Sequence, residues 1–160
     1  MTVIRPIQSV LFVCLGNICR SPLAEAAMRQ AAKQKDLTLK IDSAGTGDWH
    51  IGHAPDRRAR AAALQYGGID ISAYKARQVR QSDFVEFDLI CALDSNNLTD
   101  LQAMSGTGTA QLSLLLDHLP GWQGQSVADP YYGDEDDFAS CWHQVQAATE
   151  SLAHMLAKNG

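Results

Sequence analysis

Val10-Leu-Phe-Val-Cys-Leu-Gly-Asn-Ile-Cys-Arg-Ser-Pro22 runs an apolar segment, a short loop and a helix start together without a break. A brief, continuous apolar run feeding directly into a helix is how a strand of a parallel, helix-covered sheet reads. Ser21 is a favoured N-cap residue and Pro22 suits the first helical position, so the first helix is expected from about Pro22. Glu25 lies one residue too late for a capping box. At such a junction loop amides and the unpaired donors of the helix N-terminus converge, and the helix dipole favours negative charge. Gly16 permits close backbone approach, Asn17 tolerates the left-handed region, and Arg20 offers a planar fork for two oxygens. Leu15, Gly16, Asn17, Ile18, Cys19 and Arg20 are therefore expected to cradle an anion.

Outward from this stretch, three more apolar segments alternate with helical patterns: Leu39 to Ser43, Leu89 to Ala92 and Leu112 to Leu116. Such alternation predicts a single doubly wound α/β domain over residues 1–160, a parallel sheet with helices on both faces. A second helix is expected from Pro55 or Asp56 to Tyr66, stopping at Gly67-Gly68 where a positive φ is cheap, and a third over Ser95 to Ser105. The last helix carries Phe138, Trp142, Val145, Thr149, Leu152 and Leu156 at three- and four-residue steps, one apolar stripe to pack on the sheet. The acidic run Asp134 to Asp137 suits its positive N-terminus. Ala44 to Ala54 reads as a long loop, a kind of segment that in small domains often carries function.

With 46% hydrophobic and 19% charged residues the composition is that of a globular domain, and no apolar stretch is long enough to span a membrane. Met1 to Pro6 lacks the features of a secretory signal. A net charge of −5 argues against a nucleic-acid partner, whose affinity rests on clustered Lys and Arg. The four cysteines form no CxxC pair, and no His or Cys pair matches the Cys14/Cys19 spacing. Neither a metal nor another cofactor is expected, and unpaired thiols suit the cytoplasm. The histidines, His50 among them, find no partners at metal-binding spacing.

A bare Cys-x5-Arg is poor evidence in a chain with four cysteines and eight arginines. Its place at a strand end, with Gly and Asn inside and Ser-Pro after it, gives it weight. A cysteine at a helix N-terminus beside an arginine sits where the thiolate is favoured, so Cys14 is the candidate nucleophile. Ser21 either caps the helix or donates to the cysteine sulfur; one hydroxyl cannot readily do both.

Cys14-Leu-Gly-Asn-Ile-Cys-Arg-Ser-Pro22 resembles the signature of the low-molecular-weight protein tyrosine phosphatases. Ser43-Ala-Gly-Thr46 with Trp49-His50, Lys75-Ala-Arg-Gln78, Asp94 with Asn97, and Asp129-Pro-Tyr-Tyr-Gly133 resemble the later landmarks of that family in order, across nearly the whole chain. The resemblance implies a four-stranded parallel sheet and a metal-free phosphatase acting on tyrosine-phosphorylated proteins and small aryl phosphates. It makes Cys14 the nucleophile of a phosphocysteine intermediate, Arg20 the phosphate clamp and Asp129 the general acid and base. Trp49, Tyr131 and Tyr132 then wall a cleft deep enough for a phenyl ring, unless they are simply packed loop aromatics. Tyr74 departs from the pattern, since many members have His before Lys-Ala-Arg, which bears on the hydrogen bonds behind the loop. Cys19 is read either as a redox partner that captures oxidised Cys14 or as packing under the loop. Two other readings stand beside the phosphatase: an arsenate reductase on the same fold, for which Cys91 lacks a nearby second cysteine, and a non-catalytic anion-binding module.

Overall fold

Segments β1 (Ser9–Cys14), β2 (Lys40–Gly45), β3 (Leu89–Ala92) and β4 (Gln111–Leu114) form one parallel sheet in the order β2-β1-β3-β4 in the computed structural model, which describes residues 6–159. The N-terminal reading above rests largely on residues 1–5, outside the described residues. β1 is central and buried along its whole length, paired with β2 from Ser9↔Lys40 to Cys14↔Gly45 and with β3 from Val10↔Leu89 to Val13↔Ala92. Burial on both faces is why it reads as a continuous apolar run instead of an alternating one.

Helices α1 (Arg20–Gln34), α2 (Arg57–Gly67), α3 (Asp83–Glu86), α4 (Ser95–Met104) and α5 (Glu135–Asn159) divide between the two faces. Val10, Phe12 and Cys14 point into one core with Leu23 and Met28 of α1, Ala59 and Ala63 of α2, and Trp142 and Val145 of α5. Leu11 and Val13 point the other way, into a smaller core with Phe84 of α3 and Leu101 of α4. The period-2 geometry of a strand thus serves two cores from one short segment. The stripe on α5 is as expected: Phe138, Trp142, Val145, Thr149 and Leu152 are buried and Leu156 packs at the edge of the core. Glu135, Asp136 and Asp137 occupy the first turn of α5. Among the described residues no helix is long and apolar enough to cross a membrane.

Several boundaries differ from the sequence reading. α1 begins at Arg20, two residues before Pro22, with Cys19 at the N-cap position and no side-chain cap. Pro22 is accommodated because first-turn amides have no helical partner in any case. Asp56 caps α2 by accepting the Arg58 amide, and Gly68, at φ 66°, closes it in the left-handed conformation. β4 stops at Leu114, and Leu115 and Leu116 turn into a 3₁₀ segment, Leu115–His118, that keeps both side chains buried. The four-residue α3 was not anticipated, being too short to show helical periodicity.

Chain order reverses between β1 and β3, which leaves a crevice at the carboxyl ends of these neighbouring strands. That is where open α/β sheets bind ligands, and Cys14 is the last residue of β1.

Candidate active site

Only residues 15–19 separate β1 from α1, so the chain must turn sharply above the crevice. Asn17 adopts φ 57°, the left-handed region that Asn tolerates better than most residues. Three carbonyls around this turn are bonded to neighbouring segments: Cys14 accepts from the Thr46 amide at 2.9 Å, Leu15 from Gly47 at 2.9 Å, and Ile18 from Asp56 at 2.8 Å. Among the described residues, no hydrogen bond takes up the amides of Leu15, Gly16, Ile18 or Cys19. Carbonyls occupied and amides unspent is the arrangement that receives an anion. Gly45 permits this close packing, because a Cβ there would lie 2.7 Å from the Leu15 carbonyl oxygen.

Cys14 Sγ lies 3.0 Å from Ser21 Oγ and accepts the Asn17 amide at 3.3 Å. Ser21 Oγ accepts from Asn17 Nδ2 at 2.7 Å, so its own proton is available to the sulfur or, at 3.4 Å, to the Ala44 carbonyl. The hydroxyl does not cap α1, which begins at Arg20 with Cys19 in the cap position. Asn17 Nδ2 also donates to Ser43 Oγ at 3.0 Å, and Ser43 Oγ to Glu25 Oε1 at 2.7 Å. Burial pushes the Glu25 carboxyl above its ordinary range, against the opposing bonds from Ser43 and Arg29. Tyr74, half-buried beside this network, has its phenol pushed up by burial and by the Glu25 charge. Asn17 Oδ1 accepts the Arg77 amide at 3.0 Å, fixing the third corner of the loop.

Arg20 is 3% exposed. Its Nη1 donates to Asp94 Oδ2 at 2.7 Å and to the Val127 carbonyl at 3.0 Å, while Nη2 faces Asp129 Oδ2 at 3.7 Å. Burial works against the guanidinium charge, but Cys14 and Asp94 outweigh it and hold Arg20 protonated. One edge of the fork is thus anchored to the scaffold and the other directed at the cavity.

That cavity, about 310 Å³, is floored by Cys14, Gly16 and Arg20. Leu15, Ile18, Cys19 and Asp129 line it with the three aromatics Trp49, Tyr131 and Tyr132. Of the residues expected at the site, Asn17 and Ser21 alone lie outside its lining, where they support the sulfur from behind. Tyr131 and Tyr132 meet edge to face at 4.9 Å, and both are exposed, as is Trp49. These rings wall an opening and are not core packing. His50 also lines the cavity, although the sequence showed of it only that it has no partner at metal-binding spacing. Cys19 is buried, and burial together with the Asp56 charge pushes its thiol up. Cys91 lies inside β3 and Cys141 in α5; burial pushes each thiol up to about 12. Trp49 and Leu15 border a second depression beyond this cavity, toward Asp100 and Met104 of α4.

The fold and sequence that carry this cavity are shared with known proteins. The chain belongs to the low molecular weight phosphotyrosine protein phosphatase family, whose model matches residues 9–160. The low molecular weight protein-tyrosine-phosphatase YfkJ of Bacillus subtilis is 46% identical over 153 residues, 94% of this chain and 96% of that protein. Among solved structures, a protein tyrosine phosphatase from Entamoeba histolytica superposes with a TM-score of 0.88 at 35% identity, covering 95% of this chain and 98% of the other. A Drosophila arginine phosphatase superposes with a TM-score of 0.85 at 30% identity, covering 91% and 96%.

Proposed function

We propose that this chain hydrolyses phosphotyrosine in proteins, and small aryl phosphates, through a phosphocysteine intermediate. The observation that carries the reading is that Cys14, Arg20 and Asp129 line one cavity, over a loop whose amides are unspent. Cys14 attacks phosphorus in line with the ester oxygen, so that the S–P bond forms as the P–O bond breaks. The loop amides and the free edge of Arg20 hold the non-bridging oxygens of a loose transition state. Asp129 gives its proton to the departing phenolate, then as carboxylate takes one from the water that attacks phosphorus. The S–P bond breaks in that second step, and Ser21 stabilises the released sulfur through its 3.0 Å contact.

The aromatic walls suit a flat phenyl ring, which reaches further into the cavity than a phosphoserine side chain. Tyrosine-phosphorylated proteins are the expected partners, and the four free thiols suit the reducing cytoplasm. No metal is required on this reading, since the loop supplies the positive field.

Turnover should be measured on an aryl phosphate, a phosphotyrosine peptide and a phosphoarginine peptide in the presence of chelator, beside arsenate reduction with a thiol-reducing system. Phosphotyrosine and aryl phosphate hydrolysis at full rate in chelator, with competitive inhibition by phosphate, is the expected result. Preference for phosphoarginine, reduction of arsenate, or binding of phosphotyrosine without turnover would each replace the reading with a different one.

A further inference from the structure

The loop that carries Asp129 belongs to no helix or strand between Val127 and Asp134, and Asp129, Tyr131 and Tyr132 are all exposed. Its internal ties are short-range: Tyr131 donates its amide to Asp129 Oδ1 at 3.1 Å and Gly133 its amide to the Pro130 carbonyl at 2.8 Å. Something outside must fix it over the cavity. Arg58, in the first turn of α2, donates through Nη2 to the Tyr131 carbonyl at 2.9 Å and through Nη1 to the Gly133 carbonyl at 3.1 Å. The guanidinium lies over the rings of Phe138, at 4.5 Å, and Tyr131, at 5.6 Å. Its remaining edge is held by both carboxylate oxygens of Asp56, at 3.1 and 3.2 Å. Asp56 in turn donates its backbone amide to Ile18 of the anion-binding loop at 2.8 Å.

From this geometry we infer that Arg58 is a positioning residue for Asp129, and that the Asp56–Arg58 pair sets the distance between the proton donor and the anion-binding loop. One planar, five-donor group satisfies two carbonyls and a carboxylate at once, which a lysine cannot do. The inference rests on the general-acid role proposed for Asp129. Displacing a reacting group by about 1 Å can cost on the order of 100-fold in rate. Loss of Arg58 should therefore act on the step that needs the acid and spare the phosphate pocket.

The test compares wild type, Arg58→Met, Asp129→Asn and the double variant on phenyl phosphate and on a dinitrophenyl phosphate, whose leaving group needs little protonation. Arg58→Met is expected to lower kcat/KM for phenyl phosphate, which reports the phosphorylation step alone, by about 10- to 100-fold, with the inhibition constant of inorganic phosphate nearly unchanged and a much smaller loss of kcat/KM on the acidic leaving group. In the Asp129→Asn background it should add less than about twofold, the non-additivity of residues acting as one unit. Exchange of the Tyr131 and Gly133 amides should quicken in Arg58→Met while the circular dichroism spectrum is kept. Should Arg58→Met fail to fold, Arg58→Gln carries the same comparison. Equal losses on both substrates, full additivity with Asp129→Asn, or unchanged amide exchange would overturn the inference. If Asp129→Asn alone shows no leaving-group dependence, the general-acid role itself fails and the positioning role with it, an outcome the single variant reports separately.

Discussion

Asp94 Oδ2 lies 2.7 Å from Arg20 Nη1, while Oδ1 of the same carboxylate accepts the Asn97 amide at 2.7 Å. One side chain therefore caps α4 and holds the guanidinium. Asp94→Ala should lose about 1 kcal/mol of cap energy, a fall in Tm of about 2–4 °C for a domain of this size, and should also weaken inhibition by inorganic phosphate. Thermal melts and inhibition constants measured on the same protein separate the two roles. A lowered Tm with an unchanged phosphate constant would mean that the Val127 carbonyl suffices to hold Arg20.

Cys14→Ser is expected to abolish turnover while retaining phosphate binding, because a hydroxyl is a far weaker nucleophile and the amides remain in place. Calorimetric titration with phosphate checks this directly. Arg20→Lys should be severe in both binding and turnover, since a point charge cannot bond Asp94, Val127 and an oxyanion from one plane. Near-normal activity in that variant would contradict the clamp role.

Gly45→Ala places a methyl group against the Leu15 carbonyl, a backbone atom with little freedom to yield. Overpacking of this kind costs about 1–3 kcal/mol, and here the displaced backbone is the loop between β1 and α1. Activity should fall more than stability does, which paired kinetic and denaturation measurements would reveal. Retention of full kcat/KM would show that the loop accommodates the shift.

Peroxide should convert Cys14 to a sulfenic acid, and condensation with the Cys19 thiol would release water and leave a disulfide. Burial holds Cys19 protonated, which keeps it from reacting first. After brief peroxide treatment, wild type should recover activity with a dithiol, whereas Cys19→Ser should recover much less. Equal recovery, or peptide mapping without a Cys14–Cys19 link, would leave Cys19 as packing under the loop.

His118 sits at the end of the 3₁₀ segment, its Nε2 2.8 Å from Ser113 Oγ, and burial lowers it below its ordinary 6.5. The nearby Asp117 charge opposes that shift without cancelling it. As the pH falls below 6.5 the unfolded chain takes up a proton that the folded chain still refuses, so stability declines toward the folded value. Urea melts between pH 7.5 and 5 should show this slope in wild type and a shallower one in His118→Gln. Identical slopes would assign the acid sensitivity to other groups.

The sheet was legible because β1 and β3 are apolar on both faces, and α5 because its stripe runs through five turns. The Leu112 to Leu116 run misled at its end, since Leu115 and Leu116 are as buried in a 3₁₀ turn as they would be in a strand. The residues that line the cavity announced themselves through the strand-loop-helix junction and the family landmarks. Ser21 was ambiguous, because a serine at a helix start looks the same whether it faces an amide or a sulfur. Asp56 and Arg58 left no signal, for they act on backbone carbonyls over 70 residues away and on the backbone of Ile18. Any sequence presents such carbonyls. His50 was hidden for a related reason, since the shape of a long loop decides which of its side chains reach the cavity.

Nearly every tie that shapes the loop between β1 and α1 comes from chain that is synthesised later: Thr46, Gly47 and Asp56 for its carbonyls, Arg77 for Asn17, and Asp94 and Val127 for Arg20. An early intermediate with α1 docked on β1 would thus hold the cysteine and the arginine with no competent site around them. Return of catalytic activity during refolding should lag the return of helical signal, because the distant contacts must close first. The enzyme carries in its own turnover a reporter of the last stage of its assembly.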